Sequence, residues 1–365
     1  MSAASVDVAV IGAGAMGAAT AWHLSRRGVS VEVFEQFEPG HVRGASHGAS
    51  RNFNVAYDEP GYLAWLREAR VLWRELEAES AARLLETTGI VTHGAGRDLA
   101  RTASAIRAGG FDAEMLDAGE AAGRWPGIRF DGPVLHTPEA GRLDADATVS
   151  ALLARAVARG GHVHWRTRVE DLVVRDDERV QFRAIGPDRE RIVRARRVVA
   201  TAGAWTSRLL SSADAANALP RLRVTQEQPA HFAPLDGATA WPGFNHVPAP
   251  GAAETAWFPA VIYGMFTPGE GVKVGWHAAG PEVDPDRRSF QPDPALTAAL
   301  VRYAREWLPG VDSDVFSEIT CTYTSTPDSR FVLERVGPLV IGAGFSGHGF
   351  KFTPVIGRIL ADALG

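Results

Sequence analysis

An α/β (α+β) fold, divided into two interleaved parts, is what this sequence of 365 residues predicts. Three observations carry the prediction. An apolar run near the N-terminus leads through a glycine-rich turn into an Ala-rich helical stretch. The region from Pro220 to Pro285 is rich in Pro, Gly and aromatic residues and holds alternating runs such as VKVGWH, the period of β-sheet. The C-terminal stretch then returns to strand, glycine turn and helix.

Asp7–Ile11 (DVAVI) reads as a strand, and Gly12-Ala13-Gly14-Ala15-Met16-Gly17 follows at once. Ala18–Arg27 has the spacing of a helix stopped at Gly28, and the run Ser30–Phe34 is a second strand ending at Glu35. Strand, glycine turn, helix, strand and acid in this order are the start of a Rossmann-like, dinucleotide-binding unit. Gly12 permits the tight turn, Gly14 lets backbone approach a pyrophosphate, and Gly17 allows close helix–strand packing. The phosphates then meet free N–H groups and the positive end of the helix dipole. Glu35 lies 23 residues beyond Gly12, the right interval for a carboxylate on ribose hydroxyls.

Further along, Gly40–Arg51 (GHVRGASHGASR) reads as a loop beside the nucleotide. Tyr62–Glu79 is expected as a solvent-facing helix. Strand-like GIVTHG and helical ARTASAIRAGG lie within Arg83–Val134, and Ala147–Arg159 is a helix ended by Gly160-Gly161. Val163–Val174, Val180–Ile185 and Ile192–Val193 read as short strands with a turn at Asp176-Asp177. Val198–Gly203 is a small-residue strand running into a turn closed by Trp205. Asp293–Trp307 is a helix, Thr320–Leu333 and Leu339–Gly342 are strands, and Val355–Leu364 is a closing helix. The expected division is a discontinuous nucleotide-binding part (1–80, 145–220 and 320–365) and a substrate part (81–144 and 221–319).

Composition narrows the class. With 45% hydrophobic and 22% charged residues, 38 Gly and 22 Pro, the chain is neither disordered, collagenous nor coiled coil. The length suits two or three domain-sized units. No run approaches the roughly 18 apolar residues of a membrane helix, and a net charge of −5 argues against a general nucleic-acid binder. The N-terminus lacks a basic region ahead of an apolar stretch, so a secretory leader is not expected. A single cysteine, Cys321, excludes an internal disulfide and a multi-cysteine metal site, and makes the cytosol the expected compartment. The histidines are too few and too separated in sequence to suggest a metal site. Of the 38 basic residues only two, Lys273 and Lys351, are lysine. Lysine is a compact ammonium whose pKa falls on burial, whereas arginine stays charged. Both lysines are therefore read as positions that require an ammonium.

Four segments together resemble one family: Gly12–Gly17 with Glu35, the loop Gly44–Arg51, Cys321-Thr322-Tyr323 with Pro327-Asp328, and Gly344–Phe352 (GFSGHGFKF). They are similar to the monomeric sarcosine oxidase and N-methyltryptophan oxidase group, FAD-dependent amine oxidases of the D-amino-acid-oxidase superfamily. The resemblance runs nearly the whole chain, in order, and the longer C-terminal tail of relatives is expected to be missing after Gly365. It implies an FAD attached through a thioether to Cys321. A thiolate is the reactive form for such a link. It implies that Lys273 activates oxygen over the flavin, since a fixed cation stabilises the charge dioxygen acquires with an electron. It implies that Lys351 holds the substrate carboxylate.

The resemblance further implies that Arg51 stacks near the flavin, that Ser50 touches it, and that Tyr263, Tyr323 and His277 line the pocket. His47 matches a loop histidine, and His348 either shapes its glycine turn or touches ligand. Contacts to the cofactor are also expected from Ala13, Ala15, Met16, Gln36, Arg43, Ser46, Val169, Ala202, Gly203, Trp205, Gly344, Phe345, Gly347 and Gly349. One departure stands out. Relatives acting on sarcosine carry a second cation three residues after the flavin arginine, where this chain has Asn54. An amide donates hydrogen bonds but suits neutral or hydroxyl-rich groups better than a carboxylate.

The expected activity is oxidation of secondary amines, N-methyl or N-fructosyl amino acids, to an imine that hydrolyses, with O₂ reduced to H₂O₂. The expected partners are a small amine and O₂, with no nucleic acid and no membrane, and the chain is expected to be a monomer. Two alternatives stay open. One is a dehydrogenase on the same scaffold passing electrons to another acceptor. The other is a nucleotide-binding module without turnover.

Overall fold

The computed structural model describes residues 4–175, 179–211, 219–235 and 241–365. The turn expected at Asp176-Asp177 lies outside them.

The first strand, Ala4–Ile11, is the middle of an eight-stranded sheet. It pairs in parallel with Val31–Phe34 on one side and with Glu190–Ala200 on the other. Between the first two strands runs the helix Ala15–Arg26, whose residues 15–25 are all buried. Small side chains let it lie close to its neighbours. A Cβ added at Gly357 of the C-terminal helix Thr353–Asp362 would fall 2.5 Å from Ala19. Ala-rich helices packed at such range exclude water along their whole length, and each buried CH₂ contributes about 0.8 kcal/mol.

Two corrections concern this sheet. Val163–Val174 is broken into His162–His164 and Arg168–Val174, with Arg166 between them at φ 53°. Conversely, Ile192–Val193 and Val198–Ala200 belong to one strand, Glu190–Ala200, and the expected strand end at Gly203 is already the turn Gly203–Trp205. The strand's arginines alternate outward over most of the length, so a half-buried strand reads in sequence as a charged gap between two short apolar runs. The strand's second half also pairs in parallel with Leu339–Ala343.

The helix Pro60–Ser80 is not simply solvent-facing. It buries Leu63, Leu66, Ala69, Leu72, Trp73 and Leu76 on one side, and the Trp73 indole donates to the Lys351 carbonyl at 3.1 Å. The i, i+3, i+4 spacing of those residues is the core stripe of an amphipathic helix. The helix Pro294–Trp307, capped by Asp293, matches expectation. A strand at Val311–Glu318 carries mostly exposed side chains and was hidden in the sequence for lack of an apolar face.

A second eight-stranded sheet, mainly antiparallel, is built from strands within residues 90–137 and 230–318. The first sheet draws its strands from residues 4–34, 162–200 and 332–343. Arg223–Glu227 pairs antiparallel with Cys321–Ser325 as a separate two-stranded sheet. A three-stranded sheet, Arg51–Phe53 with Gly141–Leu143 and Leu85–Thr87, completes the set. No helix among the described residues is long and apolar enough to cross a membrane.

Candidate active site

The two large sheets enclose a cavity of about 1330 Å³. Ordinary small-molecule pockets hold roughly 300–1,000 Å³, so this one accommodates a dinucleotide together with a second molecule. One end is framed by Ile11, the 12–16 turn, Phe34, Glu35 and Gln36. The other is lined by side chains of the second sheet, among them Thr92, Asn245, Tyr263, Met265 and Lys273.

The glycine turn is built for close approach. Gly12 has φ 99°, and a Cβ there would lie 2.5 Å from the Thr201 carbonyl. A Cβ on Gly17 would lie 1.9 Å from the Gly12 carbonyl, so this glycine serves packing and does not itself line the cavity. The helix starts at Gly14 without a side-chain cap; the Ser46 hydroxyl accepts from Ala15 N–H at 3.0 Å. First-turn N–H groups left without backbone acceptors favour an anion. Glu35, 6% exposed, is anchored by the N–H groups of Ala13 and Phe37 at 2.8 and 3.0 Å. Val169, Ala202, Gly203 and Trp205 line the same end, and the Trp205 indole is held by Asp286 at 2.7 Å. Arg43 lies over the rings of Phe37 and Phe290 and is not among the residues lining the cavity.

In the middle of the cavity, the loop ahead of Arg51 is folded onto its guanidinium. Arg51 donates to the carbonyls of Ser50, Ala45 and His47 at 2.7, 2.8 and 2.6 Å. The Ser50 hydroxyl is hydrogen-bonded to Thr267 at 2.7 Å, which leaves the Ser50 carbonyl to accept from Lys273 Nζ at 3.3 Å. Lys273 is 3% exposed, and burial, reinforced by Arg51, brings its pKa down to about 7. His47 is neutral, its pKa lowered to about 3 by burial and by Arg51, and its sealed Nε2 has no partner. Cys321 is 8% exposed and lines the cavity. Burial raises its thiol pKa while Arg51 and Lys273 oppose the rise.

Beyond Cys321 lie Tyr263, Tyr323 and His277. The two tyrosines are hydrogen-bonded to each other, and burial raises the pKa of both. His277 packs 5.4 Å from the Tyr323 ring and is held neutral, with a pKa near 4, first by burial and then by Lys351. The C-terminal segment brings Gly344, Phe345, Gly347, His348, Gly349 and Lys351 to the same wall. Lys351 is 6% exposed, and burial lowers its pKa to about 7. Its ammonium donates to the Tyr57 hydroxyl at 3.1 Å and to the His348 carbonyl at 2.7 Å. Asn54 also lines the cavity, its Oδ1 accepting from Ala56 N–H at 3.0 Å.

Sequence reasoning missed Tyr57, although it stands only three residues after Asn54. It also missed Asn52, Thr92, Arg97 and Asn245. Their common signal is a polar residue inside or just beyond a short apolar strand. The histidines are less dispersed than their positions imply. His93 and His246, on strand positions adjacent to Thr92 and Asn245, and the exposed Asp131 bring ligand atoms within 4.8 Å of one another.

These residues fit an FAD. The glycine turn leaves a cradle that a Cβ would fill, and Glu35 is fixed at the second strand's end. Residues 7–363 match the family model described as FAD dependent oxidoreductase, DAO. The chain belongs to the DAO family of FAD dependent oxidoreductases. It is 30% identical over 376 residues to a monomeric sarcosine oxidase of Bacillus sp. (strain NS-129), covering 98% of this chain and 92% of that one. It is 29% identical to an N-methyl-L-tryptophan oxidase of Salmonella dublin, covering 98% and 95%. Its fold matches the crystal structure of NikD, described as an unusual amino acid oxidase, with a TM-score of 0.85, 27% identity and coverage of 99% and 94%. The mixed α/β fold and the DAO resemblance read from the sequence are thus confirmed.

Proposed function

We propose that this oxidoreductase is an oxidase of secondary amines, acting on N-substituted amino acids such as N-methyl or N-fructosyl derivatives, with O₂ as acceptor and H₂O₂ as product. One observation carries the reading: the chain has two lysines, both are buried, and both line one cavity together with its single cysteine. A buried lysine is costly unless its charge or its lone pair is used. FAD, when bound, supplies the two-electron oxidation of the carbon–nitrogen bond.

Lys351 is the substrate anchor in this reading. An ammonium has three donors, and two are taken by Tyr57 and the His348 carbonyl. The third is left for a carboxylate. The Tyr57 hydroxyl in turn donates to His348 Nδ1 at 3.1 Å, and His348 Nε2 faces the Ser329 carbonyl at 3.0 Å. This chain of donors fixes the ammonium's direction. Tyr263, Tyr323 and His277 enclose the amine, and the neutral imidazole keeps positive charge away from it. Lys273 is the oxygen-side cation: it makes one hydrogen bond, and its charge stabilises the negative charge that O₂ acquires on reduction. Cys321 is the residue that would hold the flavin ring through a thioether. The chain works as a monomer on small molecules; the NS-129 relative is itself named monomeric. Its cysteine usage fits the cytosol.

The test is peroxide release from a panel of N-methyl and N-fructosyl amino acids, with one peroxide expected per amine consumed. Flavin reduction by these amines without peroxide would mean a dehydrogenase. No reduction by any of them would defeat the reading.

A further inference from the structure

We infer that the face of the second sheet turned away from the cavity carries a metal site, in which His93, His246 and Asp131 bind one divalent ion of zinc-like chemistry. The inference is independent of the amine-oxidase reading.

His93 and His246 end the strands Ile90–His93 and Gly243–His246, and the parallel register sets them directly opposite each other. Side chains alternate along a strand. Thr92 and Asn245 line the cavity, whereas both histidines point the other way, onto the helix Pro294–Trp307. The two imidazole centroids are 4.1 Å apart. Asp131 follows Phe130, whose ring packs 5.1 Å from that of His93. One ligand atom from each of the three residues lies within 4.8 Å of the other two.

His93 is the observation that points to a ligand. It is fully buried, yet neither ring nitrogen has a hydrogen-bond partner. A neutral imidazole is both donor and acceptor, and burying it unpaired is costly. An ion bound to one nitrogen would satisfy the lone pair that no described residue satisfies.

The neighbours complete a coordination sphere. His246 Nδ1 meets the Tyr303 hydroxyl at 3.3 Å, which leaves Nε2 for the ion. Metal-binding histidines commonly use the second ring nitrogen in this way, and the bond fixes the ring. Burial holds both imidazoles neutral, the form that ligates. Asp131 is exposed and supplies a carboxylate from the solvent side. Phe130, Phe258 and Trp307 wall the pair with ring centroids 4.4 to 6.2 Å from the imidazoles. Gly94 leaves room for His246, since a Cβ there would fall 2.8 Å from its Cδ2.

The spacing suits a bare ion. Zinc lies about 2.0–2.2 Å from imidazole nitrogen or carboxylate oxygen, so two ligands of one ion are at most about 4.4 Å apart. Closing the set takes a small shift of the exposed Asp131 carboxylate, and an ion so held needs no water-sized opening at His93. Two imidazoles select zinc and its transition-metal neighbours over magnesium or calcium. Arg129 opposes a cation here, but its guanidinium lies over the Trp307 ring at 4.6 Å and pairs with Glu254 at 3.8 Å.

The experiment titrates Zn²⁺ into tag-free, chelator-stripped holoenzyme against a competing chromophoric chelator, with thermal unfolding followed in parallel. Wild type is expected to bind one Zn²⁺ per chain, undisturbed by excess Mg²⁺, and to unfold at higher temperature when loaded. Zinc-edge X-ray absorption should show imidazole and oxygen neighbours without sulfur, which separates this site from Cys321. Asp131→Ala and Tyr303→Phe should each weaken binding by about 10-fold or more. His93→Leu should abolish it. Asp131→Ala lies on the surface and decides the question even where a buried histidine variant fails to fold. A wild type that binds no Zn²⁺, binds it through sulfur, or binds it no tighter than Asp131→Ala overturns the site.

Discussion

The Lys351 ammonium and the Tyr57 hydroxyl, 294 positions apart in the chain, meet at 3.1 Å inside the cavity. Tyr57 in turn reaches His348 Nδ1 at the same distance. A buried lysine is thereby aimed by two neutral groups, and no carboxylate among the described residues pairs with it.

Removing the Tyr57 hydroxyl frees the ammonium to rotate. Hydrogen bonds to charged groups contribute roughly 1.5–3 kcal/mol. Tyr57→Phe should raise KM for a carboxylate-bearing amine by about 10-fold while kcat falls less. Lys351→Gln should raise KM further. Steady-state kinetics with the amine and with its neutral methyl ester check this: the ester should lose much less affinity than the acid in both variants.

Lys273 should act on the oxygen side alone. Lys273→Met is expected to slow reoxidation of reduced flavin by about 100–1,000-fold, the usual cost of removing one charge-stabilising donor. Amine-driven flavin reduction should stay within a few-fold. Stopped-flow measurement of the two half-reactions separates them, and equal losses in both would assign Lys273 to general structure.

The pH dependence follows from burial. The pKa of Lys273 is lowered to about 7, so the ammonium predominates below that pH and is lost as pH rises through it. The rate of reaction with O₂ should therefore decline above about pH 7 and level at lower pH. Lys273→Met should flatten the limb. A rate that climbs steadily with pH in the wild type would contradict the assignment.

The glycine turn permits a structural prediction. Gly17→Ala drives a Cβ to within 1.9 Å of the Gly12 carbonyl, a backbone atom that cannot step aside. The variant should purify with little FAD and unfold at lower temperature than wild type. Flavin absorbance relative to protein absorbance, with thermal unfolding, measures both effects.

How far the sequence foretold this site depends on how local each signal is. Gly12, Glu35 and the helix start were legible because strand, turn and helix are consecutive and each residue has one physical job. Lys273 and Lys351 were legible because lysine is otherwise absent from this chain. Tyr57 was not, since a tyrosine has many ordinary uses. Its place arises only when the residue 51–57 segment meets the C-terminal segment. The direction of Arg43 was not legible for the related reason that an arginine in a glycine-rich loop can turn either way. Here Phe37 and Phe290 hold it outside. The long strand Glu190–Ala200 was divided because its exposed arginines mask the alternation.

The most direct test of the account is the mass of the purified chain after acid denaturation. It should exceed the polypeptide mass by one FAD, and the yellow colour should travel with the precipitate; in Cys321→Ser both the added mass and the coloured precipitate should vanish. A wild-type chain that carries FAD in its native state yet shows the bare polypeptide mass, with all flavin in the supernatant, would contradict it.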